Sequence, residues 1–334
     1  MDRPGGRAAA AGGRGEGGGV ALSVPVGISR CLLGEAVRHD AGHARWRDDG
    51  LAAHLRFVPV CPEVEAGMGI PREAVRLVRI DDGPVRMVGR QSGTDWTQAM
   101  ADVAAARIPA LRAAGIRGFI LKSQSPSCGM ERVKTYRENG YGHKDGAGLF
   151  AAALMEAWPE LPVEEEGRLL DAGLRQAFAA RLFVYHAWRT FREGSPTVAG
   201  LMDFHGRHKM LLMAHDPAQA RALGRLVAGS LPLPERLAAY EPGLMATLAR
   251  RATRGRHVNV MEHLAGFASD QLDPQDKVEL AGVIDAFRQG HVPLEVPLTL
   301  LRHHLRRTGE PWALAQVYLQ PFPAELGLRS AIIA

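Results

Sequence analysis

Three short apolar runs in the first half of the chain each lead into a loop that carries a cysteine. This pattern restricts the fold more than any other feature. Ser23-Val-Pro-Val-Gly-Ile-Ser29 leads into Cys31-Leu-Leu-Gly34, and Phe57-Val-Pro-Val60 leads into Cys61-Pro-Glu63. Gly118-Phe-Ile-Leu121 leads into Lys122-Ser-Gln-Ser-Pro-Ser-Cys128-Gly129. Apolar runs this short, bounded by Gly, Pro and Ser, read as buried strands. In an open α/β sheet, ligands bind at the carboxyl ends of the strands. Three thiols at three strand ends are therefore placed to converge on one point and hold something there.

The intervening sequence supports such a sheet. Asp48–Arg56 reads as a short helix capped by Asp48 or Asp49, and Thr94–Ala114 as a long one capped by Thr94 or Asp95 and closed by Gly115. Gly146–Trp158 reads as a third helix, and Val163 opens a last strand. Ala74–Ile80 and Val85–Val88 alternate around Asp81-Asp-Gly83, which is a hairpin signal. Alternating strands and helices predict an α/β domain with a mostly parallel sheet. After Glu164-Glu-Glu166 the pattern turns helical throughout. Seven helices are expected, over Leu169–Arg192, Thr197–Ala214, Pro217–Ser230, Pro234–Arg251, Val258–Ser269, Pro274–Gln289 and Pro297–Arg307. The expected organisation is a disordered leader (1–20), an α/β domain (21–165) and an all-α domain (166–334).

Bulk properties narrow the function. No apolar run reaches the roughly 18 residues of a membrane span, and the Gly/Ala/Arg-rich leader lacks a signal-peptide core. Three widely separated cysteines do not form a disulfide framework, and a cytoplasmic protein is the simplest reading. Charge is uneven. Residues 21–166 hold 18 Lys+Arg against 19 Asp+Glu, a net of −1, whereas residues 167–334 hold 20 against 15, a net of +5. The second half also carries nine of the 13 histidines. A basic second half suggests a phosphate-bearing partner such as nucleic acid, although ordinary surface variation gives a similar excess.

Thiolates suit zinc, copper(I) and iron–sulfur clusters. A closed zinc site usually takes four ligands, often in Cys-x2–4-Cys pairs, and no such pair is present. Three separate cysteines fit a [4Fe-4S] cluster with one iron free for substrate. Against this, free cysteines are commonly buried as small hydrophobes. Glu63 stands two residues after Cys61, where it serves either as a general acid or base or as an acceptor in its own turn. Ser125 and Ser127 bracket Pro126 and either donate to a substrate or cluster sulfur or shape the turn. Lys122 either neutralises an anion or is simply solvated. Arg38, Asp40 and His43 follow Cys31 in a polar loop and either line the site or anchor it.

Taken together, these motifs resemble a known family. Ser-x-Cys-Leu-Leu-Gly with a following Val-Arg-x-Asp, then Val-Cys-Pro-Glu-x-x-x-Gly with Pro71-Arg72, then Lys-x-x-Ser-Pro-Ser-Cys-Gly, resemble the thiouracil desulfidases (formerly the domain of unknown function DUF523) over residues 23–163. The resemblance implies a [4Fe-4S] cluster on Cys31, Cys61 and Cys128, with Glu63 as catalytic acid/base and Ser125 as a substrate contact. Arg30 departs from the family, which commonly has a small residue there. Residues 180–330 resemble the domain DUF1722 at His208-Lys209, Ala214-His215, His257-Val-Asn259, His263, Pro293-Leu294, Pro297, Gln316-Val-Tyr318 and Pro321. Chains that fuse the two are associated with removing sulfur from 4-thiouridine in tRNA, which would make the helical half an RNA-binding part.

Basic clusters accord with that expectation. They include His205-Gly-Arg207-His-Lys209, Arg302-His-His-Leu-Arg-Arg307 and the run from Arg250 and Arg251 through Arg254 and Arg256 to His257. Arginine contacts phosphates bidentately and stacks on bases, while as solvated helix ends such clusters suit the macrodipole. The expected activity is hydrolytic C–S cleavage of a thiolated uracil, foremost 4-thiouridine in tRNA. The alternatives are action on free thiouracil or thionucleosides only, a non-catalytic iron–sulfur RNA-binding sensor, and a cluster carrier or structural zinc protein.

Overall fold

A computed structural model describes residues 23–331 apart from 48–49, 82 and 138–139. The leader and the caps expected at Asp48 and Asp49 lie outside the described residues. In chain order the first half comprises β1 (Val24–Ser29), β2 (Leu55–Val60), α1 (Pro62–Glu65), β3 (Val75–Val78), β4 (Arg86–Gly89), α2 (Thr97–Ala113), β5 (Phe119–Leu121), β6 (Val133–Tyr136), β7 (Gly142–Gly146), α3 (Leu149–Ala157) and β8 (Val163–Glu165). The second half comprises α4 (Ala172–Glu193), α5 (Val198–His215), α6 (Pro217–Ala228), α7 (Leu233–Ala249), α8 (Arg254–Ala268), α9 (Pro274–Arg288), α10 (Glu295–Thr308) and α11 (Pro311–Leu314).

The strands form two sheets. The first has the order β2-β1-β5-β8 and is parallel throughout. The three cysteine-bearing strands are thus adjacent and end at the same edge. The second has the order β4-β3-β6-β7, with two antiparallel pairs and one parallel pair. The β3–β4 hairpin matches the expectation. By contrast, β6 and β7 were not expected from the sequence, and β7 reads Gly-His-Lys-Asp-Gly, a polar strand with no apolar alternation. The start expected for the third helix, at Gly146, is the end of β7. Among the described residues of the helix expected over Asp48–Arg56 there is only a one-turn 3-10 helix, Leu51–His54, because β2 begins at Leu55.

The first sheet is apolar on both faces, as a parallel sheet requires. Phe119 and Leu121 pack with α2 and α3 through Met100, Leu111 and Phe150, while Ile120 points the other way. There it joins Val24, Val26, Ile28 and Leu55 against Phe178, Leu182 and Phe183 of α4 and Phe322 and Leu326 near the C-terminus. A Cβ at Gly27 would fall 2.3 Å from the Phe119 ring, so glycine lets β5 press against β1. The second half therefore covers one face of the first sheet. Asp171 starts α4 by accepting from Leu174 N at 2.9 Å, which directs the helix back across that sheet.

Candidate functional site

Beyond the carboxyl ends of β2, β1 and β5 lies a cavity of about 420 Å³. Each neighbouring strand delivers one cysteine to it. Cys31 sits in the one-turn 3-10 helix that follows β1, Cys61 precedes α1, and Cys128 lies in the loop after β5. All three line the cavity. Cys31 and Cys128 are buried, and Cys61 is half-buried. Burial pushes the Cys31 thiol up to about 11 and the Cys128 thiol up to about 12, and it raises Cys61 as well. A negative charge on Cys31 would be felt by Cys128, and one on Cys61 by Cys31.

The Cys128 loop is held by backbone contacts. Gly129 N donates to Ser125 O at 2.8 Å, Leu149 N to Pro126 O at 3.0 Å and Ala151 N to Ser127 O at 3.1 Å. The first turn of α3 thus directs its free N–H groups to the cysteine loop. A Cβ at Gly148 would lie 2.5 Å from the Ser127 carbonyl carbon, so only glycine permits this approach. Ser125 Oγ accepts from Cys128 N at 3.2 Å, which is turn chemistry, and it also lies 3.0 Å from Ser127 Oγ.

Ser127 Oγ donates to Glu63 Oε1 at 2.7 Å and lies 3.6 Å from Cys128 Sγ. Arg72 holds the other carboxylate oxygen. Its Nε donates to Glu63 Oε2 at 3.0 Å, and an Nη closes an ion pair with the same atom. Arg72 itself is anchored to the Val37 carbonyl at 3.1 Å and the Gly69 carbonyl at 3.2 Å. Residues from two separate motifs thus form one chain, Ser125–Ser127–Glu63–Arg72. The Pro71-Arg72 pair is visible in the sequence, but its pairing with Glu63 is not, because nothing local shows the return of the chain beside α1.

Lys122 also lines the cavity. It forms an ion pair with Glu166 and donates to Ser123 O and Oγ at 3.0 Å. Glu166 binds Ser123 N at 2.7 Å and so ties the residue after β8 to the cysteine loop. Arg38 lines the cavity as well, with Asp40 3.8 Å away. Arg30, the departure from the family pattern, is engaged in an ion pair with Glu35.

Among the described residues, no three His, Cys, Asp or Glu side chains close on a single point as a lone metal ion requires. The donor set is three thiols spread around one cavity at a sheet edge. That set suits a polynuclear, thiolate-held group, wider than an ion, better than it suits zinc.

Residues 26–166 match the family model for 2-thiouracil desulfurase. The chain is 30% identical over 146 residues to "Uncharacterized protein YbbK" of Bacillus subtilis, spanning 42% of this chain and 95% of that protein. The chain belongs to the 2-thiouracil desulfurase family. Residues 209–323 match a second model, "Protein of unknown function (DUF1722)". "Uncharacterized protein YbgA" of Escherichia coli is 29% identical over 152 residues, which cover 45% of this chain and 90% of that protein. A solved structure, the [4Fe-4S]-dependent thiouracil desulfidase TudS, is 30% identical and aligns over 44% of this chain and 94% of its own, with a TM-score of 0.36. The desulfurase match contains all three cysteines and the Ser125–Ser127–Glu63–Arg72 chain.

The basic residues of the helical half are distributed differently. Arg207 and Lys209 are exposed on α5, where Arg207 pairs with Asp203 at 2.9 Å and Lys209 stands 6.0 Å from the Trp312 ring. Arg250 pairs with Asp216, and Arg256 donates to the His215 carbonyl. Arg251 and Arg254 line a second cavity. Arg302 is bound to Glu295 and the Leu319 and Gln320 region. Five histidines of the basic clusters and their surroundings are buried: His304, and His205 against Tyr240 Oη (3.1 Å), His208 on Phe204 O (2.7 Å), His215 on Arg250 O (2.6 Å) and His257 against Tyr318 Oη (3.1 Å). Among the described residues, no helix is long and apolar enough to cross a membrane.

Proposed function

We propose that the chain is a [4Fe-4S]-dependent desulfidase that removes sulfur from thiolated uracil, with 4-thiouridine in tRNA as the preferred substrate. The observation that carries this reading is the delivery of Cys31, Cys61 and Cys128 by three adjacent parallel strands to one cavity, beside a carboxylate already bonded to the Cys128 loop. Cys31, Cys61 and Cys128 would hold the cluster. When bound, a cluster with three protein thiolates has one iron left to act as a Lewis acid toward the substrate's sulfur.

The chain's own residues would do the rest. Arg72 fixes Glu63 Oε2, leaving Oε1 to exchange protons through Ser127 Oγ. Glu63 takes a proton from water as the oxygen adds to the thiocarbonyl carbon and returns it to the sulfur, so that the C–S bond breaks, a C=O bond is left on the ring and the sulfur departs as hydrogen sulfide. Ser125, 3.0 Å from Ser127, orients the base or extends the proton path. Lys122 and Arg38 line the cavity and offer positive charge to a substrate phosphate or ring oxygen. We assign residues 21–165 to this chemistry and 166–334 to RNA contact, with Arg207, Lys209, Arg250, Arg251, Arg254 and Arg256 as candidate contacts.

The test is anaerobic reconstitution with iron and sulfide, followed by incubation with 4-thiouridine-containing tRNA or with free 2-thiouracil, watching the thio absorbance decay. Loss of the absorbance on tRNA, abolished by Cys128→Ala, is expected. Turnover of the free base alone would move the substrate to a small molecule. No turnover of either by protein holding about four irons per chain would leave a sensor.

A further inference from the structure

Between α4, the start of α8 and the C-terminal segment lies a second cavity, of about 310 Å³. Its wall carries Arg251, Arg254 and Arg329 together with His215 and His257, and no Asp or Glu among the described residues. Arg329 is the notable member. It is 5% exposed, and among the described residues it forms no ion pair. Its Nη1 donates to the carbonyls of Tyr318 (2.8 Å) and Leu319 (3.2 Å), while its Nε has no partner. A buried guanidinium without a counter-charge is costly. The carboxylate whose charge acts on it, Glu295, is already paired with Arg302.

The two imidazoles do not supply the missing negative charge. Burial lowers the pKa of both, and the neighbouring Arg329 charge adds to this. His215 and His257 are therefore neutral at pH 7. The wall is also strongly apolar on one side, with Phe287 and Phe322 facing the same space and the Arg329 guanidinium 5.7 Å from the Phe322 ring. On the α4 side the buried side-chain carbonyl of Gln176 has no partner. Thr253 caps α8 by accepting from Arg256 N, so the positive end of a 15-residue helix also faces this cavity.

We propose that this cavity binds a phosphorylated nucleoside, its phosphate on Arg251, Arg254 and Arg329, its ring against Phe287 and Phe322, and a ring or ribose donor on Gln176. The volume suits one nucleotide. An anion alone would leave the apolar wall and Gln176 unused, and a neutral ring alone would leave Arg329 uncompensated. The ligand is either one nucleotide of a bound RNA or a free nucleotide, since both present the same chemistry. The inference does not rest on the desulfidase reading, because none of these residues lines the cysteine cavity.

The experiment is calorimetric titration of the purified full chain with uridine 5′-monophosphate, uridine and inorganic phosphate. Saturable binding of the monophosphate at one per chain is expected, with uridine and phosphate each weaker by about tenfold or more. Arg251→Ala/Arg254→Ala should weaken the monophosphate by about tenfold or more, since charge-assisted bonds to phosphate are lost. Arg329→Met should abolish binding. That side chain is buried and its replacement also touches the fold, so the partly exposed double variant decides the outcome. Cys128→Ala should leave the affinity unchanged, separating this cavity from the desulfidase site. Unthiolated tRNA that displaces the monophosphate identifies an RNA nucleotide as occupant, whereas tRNA that binds without displacing it identifies a free nucleotide. No saturable binding, or equal affinity in the double variant, overturns the proposal.

Discussion

The two cavities are built by different means and lined by different chemistry. At the cysteine cavity two of the cations are paired with carboxylates, Arg72 with Glu63 and Lys122 with Glu166, while Arg38, Arg76, Arg90 and Lys134 also line the wall. Its three buried thiols remain, and thiolates so desolvated need positive charge of the kind a metal centre brings. At the arginine cavity no carboxylate among the described residues lines the wall, and a buried guanidinium remains. One site presents three thiols to a metal-bearing group and the other a buried guanidinium to an anion. Adjacent parallel strands collect residues far apart in sequence at one edge by register. Helices collect theirs only by packing, so the second site draws on α4, α8 and the C-terminal segment with no shared motif.

That contrast is open to experiment, and the largest effect is expected at the thiols. Cys31→Ala, Cys61→Ala or Cys128→Ala should each remove most of the bound iron and lower thiouracil turnover by about a thousandfold or more. Iron and sulfide assays beside the rate measure this, and a variant that keeps both iron and turnover would detach that cysteine from the cluster. Glu63→Gln keeps the shape and the thiols, so iron content should hold while turnover falls by about 10²–10⁴-fold. If the rate survived, Glu63 would be a structural partner of Arg72 only. Ser127→Ala should show a smaller loss in the same direction.

Gly148→Ala tests the mould around the cysteine loop. The added Cβ meets Ser127 and Cys128 backbone atoms at 2.5–2.7 Å, none of which can swing aside. A destabilisation of about 1–3 kcal/mol is expected, seen as a lower Tm together with reduced iron retention.

The helical half should be acid-sensitive for its own reason. Burial lowers His208 to about 4 and His257 to about 3. In the unfolded chain both titrate near 6.5. Stability is therefore fully present above about pH 6.5 and is lost as pH falls toward 4, by about 1 kcal/mol per pH unit for each imidazole. Urea titrations at pH 7.5 and 5, performed in the Cys128→Ala background, separate this from loss of iron. His208→Phe should flatten the dependence, and an unchanged slope would remove His208 from the account. The smallest effect is expected on α5, where Arg207→Ala or Lys209→Ala should weaken RNA binding a few-fold and reduce its salt slope by about one.

Much of this was legible in the chain itself. Strands β1, β2, β5 and β8, the β3–β4 hairpin, all the long helices and the three cysteine loops follow from local signals, because apolar period, caps and turn residues act within a few positions. Strands β6 and β7 were not legible, since Gly142–Gly146 is polar and owes its conformation to pairing with β6. The sequence determined that three cysteines stand at strand ends. It takes folding to make those strands neighbours, to clamp Glu63 with Arg72, to bring Ser127 rather than Ser125 to the carboxylate, and to divide the basic run from Arg250 to Arg256 among an ion pair, a backbone anchor and a cavity wall. The physical reason is range. Local propensity fixes where a side chain leaves its element, but the groups it meets are chosen by sheet register and helix packing among residues tens of positions away.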